Sequence, residues 1–333
     1  MSRLGSARLP AHVAVVTDST AALPAGAAER WGVRVVPLQV LVDGAPLVGT
    51  DLAAATISAL QRGARVTTSQ PSAATFADAY AAAASDGATA VVSVHLSGEL
   101  SGTVQAARSA AERAPLPVHV VDSRTAAMGL GFAALAAAWV AGGTPVEGAR
   151  VDGPAVEGAR RPASRWRLRR SGAADTRPAT DVEAVARAAR TAAESSRVWF
   201  LVDSLEHLRR GGRLGAAAAA LGTVLGLRPL LTVADGRLVV AEKIRTRRAA
   251  VERLVAVATA AALARPGARV AVHHADRADA AQDLAHRLTE ATRGSLREIV
   301  VSPAGAVLTA HVGPGLLAVV VSDGVSGEAP ARL

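Results

Sequence analysis

Three apolar runs in the first half of this chain each end in a cluster of hydroxyl and carboxylate side chains, with helical stretches between them. Residues 13–17 run into Asp18-Ser19-Thr20, residues 90–94 into the loop 97–103, and residues 118–121 into Asp122-Ser123. Runs this short, apolar and largely β-branched have the length of a strand buried on both faces. The stretches around 75–84, 104–113 and 126–141 read as helices between them. Such alternation predicts βαβ units, and therefore an α/β fold with a mostly parallel sheet. Ligands of such sheets sit beyond the carboxyl ends of the strands, which is where the polar clusters fall. Residues 33–42 read as a further strand, closed by the turn Asp43-Gly44.

The pattern breaks between 144 and 178 and then resumes. The break holds four of the chain's 16 prolines, the echo Val146-Glu-Gly-Ala-Arg150 and Val156-Glu-Gly-Ala-Arg160, and arginines at 160, 161, 165, 167, 169 and 170. It reads as a flexible insertion. Beyond it, Thr180-Asp-Val-Glu183 has capping-box spacing, so a helix starts at about Asp181. Strands are predicted at 198–202, 270–273, 299–302 and 316–321, and helices at 204–210, 215–221, 247–263 and 278–289. Asp235-Gly236 between apolar runs is the strongest hairpin signal in the chain. Two α/β domains are expected, 12–143 and 180–323, separated by an insertion over 144–179.

Size and composition fit that plan. The chain has 333 residues, half of them hydrophobic, which is enough for two cores. It has no cysteine, which excludes disulfides, thiolate metal sites and a cysteine nucleophile. The formal net charge is +9, and Lys243 is the only lysine. That charge is unevenly placed. Residues 144–178 carry eight arginines against four acids and residues 1–11 two arginines and no acid, leaving +3 for everything else. A nucleic-acid interface would therefore rest on the insertion, and with 2% aromatic residues the chain has few rings on which to stack bases. The charge-free stretches 126–143 and 299–322 are interrupted by glycines, or by Pro303, His311 and Pro314, and read as buried elements rather than spans. No targeting segment is recognised. A cytoplasmic protein with at most peripheral membrane contact is expected.

Several polar loops are candidates for binding. Thr67-Thr-Ser-Gln-Pro-Ser72 packs four hydroxyls into six residues, suited to an anionic oxygen or to capping a helix. Ser97-Gly-Glu-Leu-Ser-Gly-Thr103 opens a helix, so its amides face either an anion or only the helix start. It is not a phosphate loop, a dinucleotide fingerprint or a nucleophile elbow. His311 in His-Val-Gly-Pro-Gly315 is either a ligand-binding donor or a packed loop histidine. His273-His274 lacks acidic or cysteine companions at metal-ligand spacing, so no metal is assigned. Arg213 after Gly211-Gly212, and Arg245 with Arg247 and Arg248, suit an anionic partner, a phosphate or simply solvent.

Taken in order, these motifs resemble the DegV family. They are Val13-Ala-Val-Val-Thr-Asp-Ser19, Thr68-Ser-Gln-Pro-Ser72, Leu100-Ser-Gly-Thr103, Val120-Val-Asp-Ser123, the run 205–212 with Arg213-Leu214, and His311-Val-Gly-Pro-Gly315. The agreement covers about 13–142 and 180–322. It implies a two-domain α/β protein that holds a long-chain fatty acid between its domains. It further implies presentation of that acid to a separate ATP-dependent kinase that makes acyl phosphate, a step in phospholipid metabolism. The chain itself would need no cofactor and perform no chemistry. By the family pattern Thr68, Ser69, Ser97 and His311 would hold the carboxylate. Asp18, Ser19, Ser101, Gly102, Thr103, Asp122 and Ser123 would surround the pocket, and Arg213 and Arg245 would face the phosphate or the kinase. Each buried CH₂ of such a ligand contributes ~0.8 kcal/mol, so the chain would supply affinity and the polar cluster orientation. The sequence departs from the pattern at Gly98, where a second serine is frequent, and at Val104, where an aromatic is frequent. The alternative is an enzyme acting on a small acyl or phosphorylated substrate with His311 as acid/base.

Overall fold

The computed structural model describes residues 12–142, 181–214 and 228–324. Strands β1 (Val13–Asp18), β2 (Val33–Val36), β6 (Ala90–His95) and β7 (Val118–Asp122) form an all-parallel sheet in the order β2-β1-β6-β7. Helices α1 (Ala27–Trp31), α3 (Ala73–Ser85) and α4 (Thr103–Ala111) supply crossovers. β1 and β6 are buried at every position, the burial expected of strands covered on both faces.

The expected strand over 33–42 is two strands in two sheets. β2 ends at Val36, and β3 (Gln39–Val42) pairs antiparallel with β4 (Ala45–Pro46) and β5 (Val66–Ser69), with α2 (Leu52–Gln61) between β4 and β5. Pro37 lies at the break; it has no N–H for a ladder, and its ring fixes φ. Of the hydroxyl-rich run at 67–72, Thr67, Thr68 and Ser69 are consequently the end of β5 rather than a free loop. Only Ser72 caps a helix, accepting from Thr75 N at 3.1 Å.

α5 (Met128–Val140) is buried from Met128 to Ala138. A helix apolar all round belongs in a core. Gly131 lets it approach the Ala21 carbonyl, where a Cβ would come within 2.8 Å. At 13 residues it is about 20 Å long, and no helix among the described residues is long and apolar enough to cross a membrane. α6 (Val182–Ser195) packs against it. Its N-cap is Asp181, which accepts from Glu183 N at 3.0 Å.

The second sheet is mixed, in the order β10-β9-β8-β13-β11-β12. Its strands are β8 (Arg197–Leu201), β9 (Leu230–Ala234), β10 (Arg237–Glu242), β11 (Arg269–His274), β12 (Glu298–Pro303) and β13 (Leu317–Ser322). Only β11 and β12 run parallel. The helices are α7 (Glu206–Arg210), α8 (Arg247–Leu263), α9 (Ala278–Ala291) and α10 (Gly305–Val312). The Asp235-Gly236 hairpin is present, with Asp235 and Gly236 at φ 50° and 80°. One hydrophobic cluster spans both halves, joining Val92 and Val94 of β6 through α5 to Phe200 and Val320. Arg269 adds a second tie, stacking 4.5 Å over the Phe132 ring while paired with Glu298. The expected insertion at 144–179 and helix at 215–221 lie outside the described residues.

Candidate functional site

A cavity of about 360 Å³ lies between the carboxyl edge of the parallel sheet and the face of the mixed sheet. Three structural pieces wall it. Leu96, Leu100 and Ser101 come from the loop after β6. Val198, Phe200, Val233, Leu238 and Ala318 come from the mixed sheet. α10 lays Ala304, Val307, Leu308, His311 and Val312 along the third side. That spacing, i, i+3, i+4, i+7, i+8, is one helical stripe. His311 is thus near the end of a helix rather than in a loop. By the rise per residue it stands about 10 Å along the axis from Ala304.

The His311 end of the cavity is polar. Thr68 Oγ1 and His311 Nε2 are 2.8 Å apart, and Ser69, Gln70, Ser101 and Arg213 line the cavity with them. Burial pushes the His311 imidazole down to about 4, and the nearby Arg213 guanidinium pushes the same way. At neutral pH the ring is therefore uncharged, with one nitrogen donor and one acceptor. Gly211 is needed beside it, since a Cβ there would lie 2.7 Å from His311 Nδ1. Arg213 is fixed by the backbone: Nε donates to Leu100 O at 3.1 Å and Nη1 to Gly211 O at 2.5 Å. Arg213, expected to face a phosphate or a kinase, thus places a cation in the wall of the cavity itself.

The other sequence candidates separate into rim-building residues and outliers. Ser97 is buried but does not line the cavity. Its hydroxyl donates to Gly236 O at 2.7 Å, pinning the β9–β10 turn over the edge of the parallel sheet. Arg237–Glu99 at 2.6 Å and Arg124–Asp235 at 3.6 Å flank that contact. Asp18 is wholly buried among backbone and His95 donors, and Ser19 Oγ accepts from Leu38 N at 3.0 Å. Asp122 accepts from Gly98 N and Arg124 N, and Ser123 Oγ lies against the Thr125 backbone. Ser101 Oγ and Thr103 Oγ1 are 2.8 Å apart, and Gly102 sits under Gln70, where a Cβ would meet Oε1 at 2.2 Å. The polar strand ends do converge, but most are spent on building the edge. Arg245 is exposed between β10 and α8 and lines no part of the cavity.

Sequence reasoning missed Thr20, Ala126, Ala127 and His273, which line the cavity beside Ala304. Thr20 was visible as the third residue of the Asp-Ser-Thr cluster. For His273 the signal was weak: its companion is a serine on the neighbouring strand, not a metal ligand. The α10 stripe lies in the apolar stretch between Pro303 and Gly313, which the sequence marked as buried but not as a helix.

Known proteins share this sequence pattern and fold. The family model described as "Uncharacterised protein, DegV family" matches residues 12–147 and 177–323. A DegV domain-containing protein of Streptomyces coelicolor is 44% identical over 314 residues, covering 94% of this chain and 99% of the relative. Among solved structures, a fatty acid-binding DegV family protein from Thermus thermophilus is 32% identical, with a TM-score of 0.74 over 94% of this chain and 99% of that one. DegV of Bacillus subtilis, also a fatty acid-binding protein, is 28% identical, with a TM-score of 0.76 over 94% of this chain and all of that one.

Proposed function

Starting from the fact that this chain belongs to the DegV family, we propose that it binds a long-chain fatty acid in the cavity between its two sheets. The observation that carries the reading is an apolar cavity with one polar end, where Thr68 and His311 meet. An acyl chain has only apolar surface to bury, and each CH₂ removed from water contributes ~0.8 kcal/mol. Its carboxylate is placed against Thr68, Ser69 and His311. Arg213 supplies the nearby positive charge that makes burying a carboxylate tolerable. Ser97 then acts one step away, holding the hairpin that closes the pocket.

The reading extends to presentation of the bound acid to a separate ATP-dependent kinase, with the chain itself performing no chemistry. The polar end supports this by bringing carboxylate-binding groups and a guanidinium together. Purified chain with oleate and ATP should form no acyl phosphate, whereas adding a fatty acid kinase subunit should. Turnover by the isolated chain, detected by hydroxylamine trapping, would instead favour an enzyme using His311.

The binding step is tested by mass spectrometry of protein purified from cells and by titration with oleate and palmitate. Thr68→Val and His311→Ala should each weaken binding by about 1–3 kcal/mol, roughly 5- to 150-fold in Kd, because a buried carboxylate oxygen loses its partner. Unaltered affinity in both variants would move the carboxylate elsewhere. Wild-type protein that takes up no fatty acid would end the proposal.

A further inference from the structure

Near Ala304, about 10 Å along α10 from His311, the cavity wall contains an unusual arrangement. Two alanines there have left-handed backbone, Ala22 at φ 47° and Ala127 at φ 53°. Ala127 combines that φ with ψ −146°, a region that side chains with a Cβ rarely enter. Both are buried, Ala127 lines the cavity, and both belong to the first half of the chain. Their peptide groups are held from the second half. Met128 N donates to His273 Nε2 at 3.2 Å, so the imidazole proton is on Nδ1, which faces Ser302 Oγ at 3.1 Å and Ser302 O at 3.3 Å. Ser302 Oγ in turn donates to Ala22 O at 3.3 Å. One polar relay thus runs from the amide after one strained alanine to the carbonyl of the other. His273 and Ser302 face each other across the β11–β12 ladder, and His274 O accepts from Ala304 N at 2.8 Å, tying the relay to the start of α10.

We propose that His273, with Ser302, is a positioning and specificity-determining residue that fixes the closed end of the cavity and so sets which acyl chains fit. This deepens the fatty-acid reading and rests on it. The argument is geometric. The Met128 amide, next to the strained Ala127, is held by an acceptor from the second half of the chain. The imidazole is itself part of the cavity lining. With both nitrogens occupied, it presents its ring, not a free polar atom, to the ligand. That suits a methyl end and not a carboxylate. Burial pushes the imidazole down to about 4, so the acceptor nitrogen is maintained at neutral pH.

The test uses the full chain and four variants: His273→Leu, His273→Gln, His273→Ala and Ser302→Ala. Amide exchange at Met128, measured without added lipid, reads the relay alone. Protection should fall at least ten-fold in His273→Leu and be largely restored in His273→Gln, whose amide offers both a donor and an acceptor. Competition among fatty acids of 14 to 20 carbons, followed by native mass spectrometry, reads specificity. His273→Ala should shift the preferred chain upward by about two carbons, and His273→Leu and Ser302→Ala should flatten the preference at least five-fold, while His273→Gln stays near wild type. Unchanged chain preference in folded His273→Ala and His273→Leu would overturn the proposal, as would Met128 exchange indifferent to His273. Wild-type protein that binds none of the acids, with Met128 exchange still controlled by His273, would instead defeat the ligand reading.

Discussion

Asp18→Ala should cost the protein about 3–5 kcal/mol, a large part of the roughly 5–15 kcal/mol that separates folded from unfolded domains. The carboxylate is fully buried and accepts four hydrogen bonds: from Thr20 N at 3.0 Å, Thr20 Oγ1 at 2.5 Å, His95 Nδ1 at 3.0 Å and Leu96 N at 3.1 Å. Behind His95 the chain continues through Ser93 Oγ at 2.7 Å to Tyr80 OH at 2.9 Å. Burial raises that phenol to about 12, so it is a hydroxyl at neutral pH. Alanine at 18 strands all four donors in a dry interior, and each unmet donor costs about 1–3 kcal/mol before relaxation. Asparagine keeps one acceptor oxygen but turns an NH₂ toward the Leu96 amide, so Asp18→Asn should fall between wild type and alanine. Urea unfolding with matched slopes measures both. An alanine variant within 1 kcal/mol of wild type would show that this network does not hold the sheet edge.

The second large effect is a loss of stability on acidification. His273 and His311 are both held near 4 by burial, against about 6.5 in an unfolded chain. Above pH 6.5 neither ring is protonated in either state, and neither contributes to pH dependence. As the pH falls from 6.5 toward 4, the unfolded chain takes up protons that the folded protein refuses, so stability drops until the folded rings titrate. The loss amounts to about 3 kcal/mol per ring over that window. His207 and His274 are lowered in the same direction by burial, so they add to the slope. Urea midpoints at pH 7.5 and pH 4.5 should therefore differ sharply in wild type. The difference should shrink in a His273→Gln, His311→Gln double variant. An equal difference in the double variant would assign the acid sensitivity to other groups.

How far these features were legible varies with the kind of interaction. The βαβ alternation was readable because burial on both faces leaves a continuous apolar run, a local property. Residues 247–263 were readable as a helix from a different local property, the spacing of four between Ala250, Leu254, Ala258 and Ala262. The split at Pro37 was missed because apolar residues continue on both sides of it, and only the choice of pairing partner separates β2 from β3. His311 was singled out in the sequence but given a loop; the stripe from Ala304 to Val312 shows its helix only once one knows which side faces the cavity. Ser97 was chosen for its chemistry and position at a strand end. Its hydroxyl is engaged by Gly236, 139 residues away, and no local pattern announces that contact.

By itself the sequence determined the fold class, most elements, the hairpin at Asp235-Gly236 and, through six ordered motifs, the family. These follow from short-range rules: periodicity, turn chemistry and the spacing of residues within one loop. Tertiary structure alone decided which polar groups share a cavity. Thr68 and His311 are 243 residues apart, and Met128 meets His273 across 145. A hydroxyl or an imidazole can donate, accept or do both. Whether it binds a ligand or builds the wall depends on which long-range partner reaches it first. That is why Asp18, Ser97 and Asp122 form the frame of the site while Thr68, Ser69 and His311 line it.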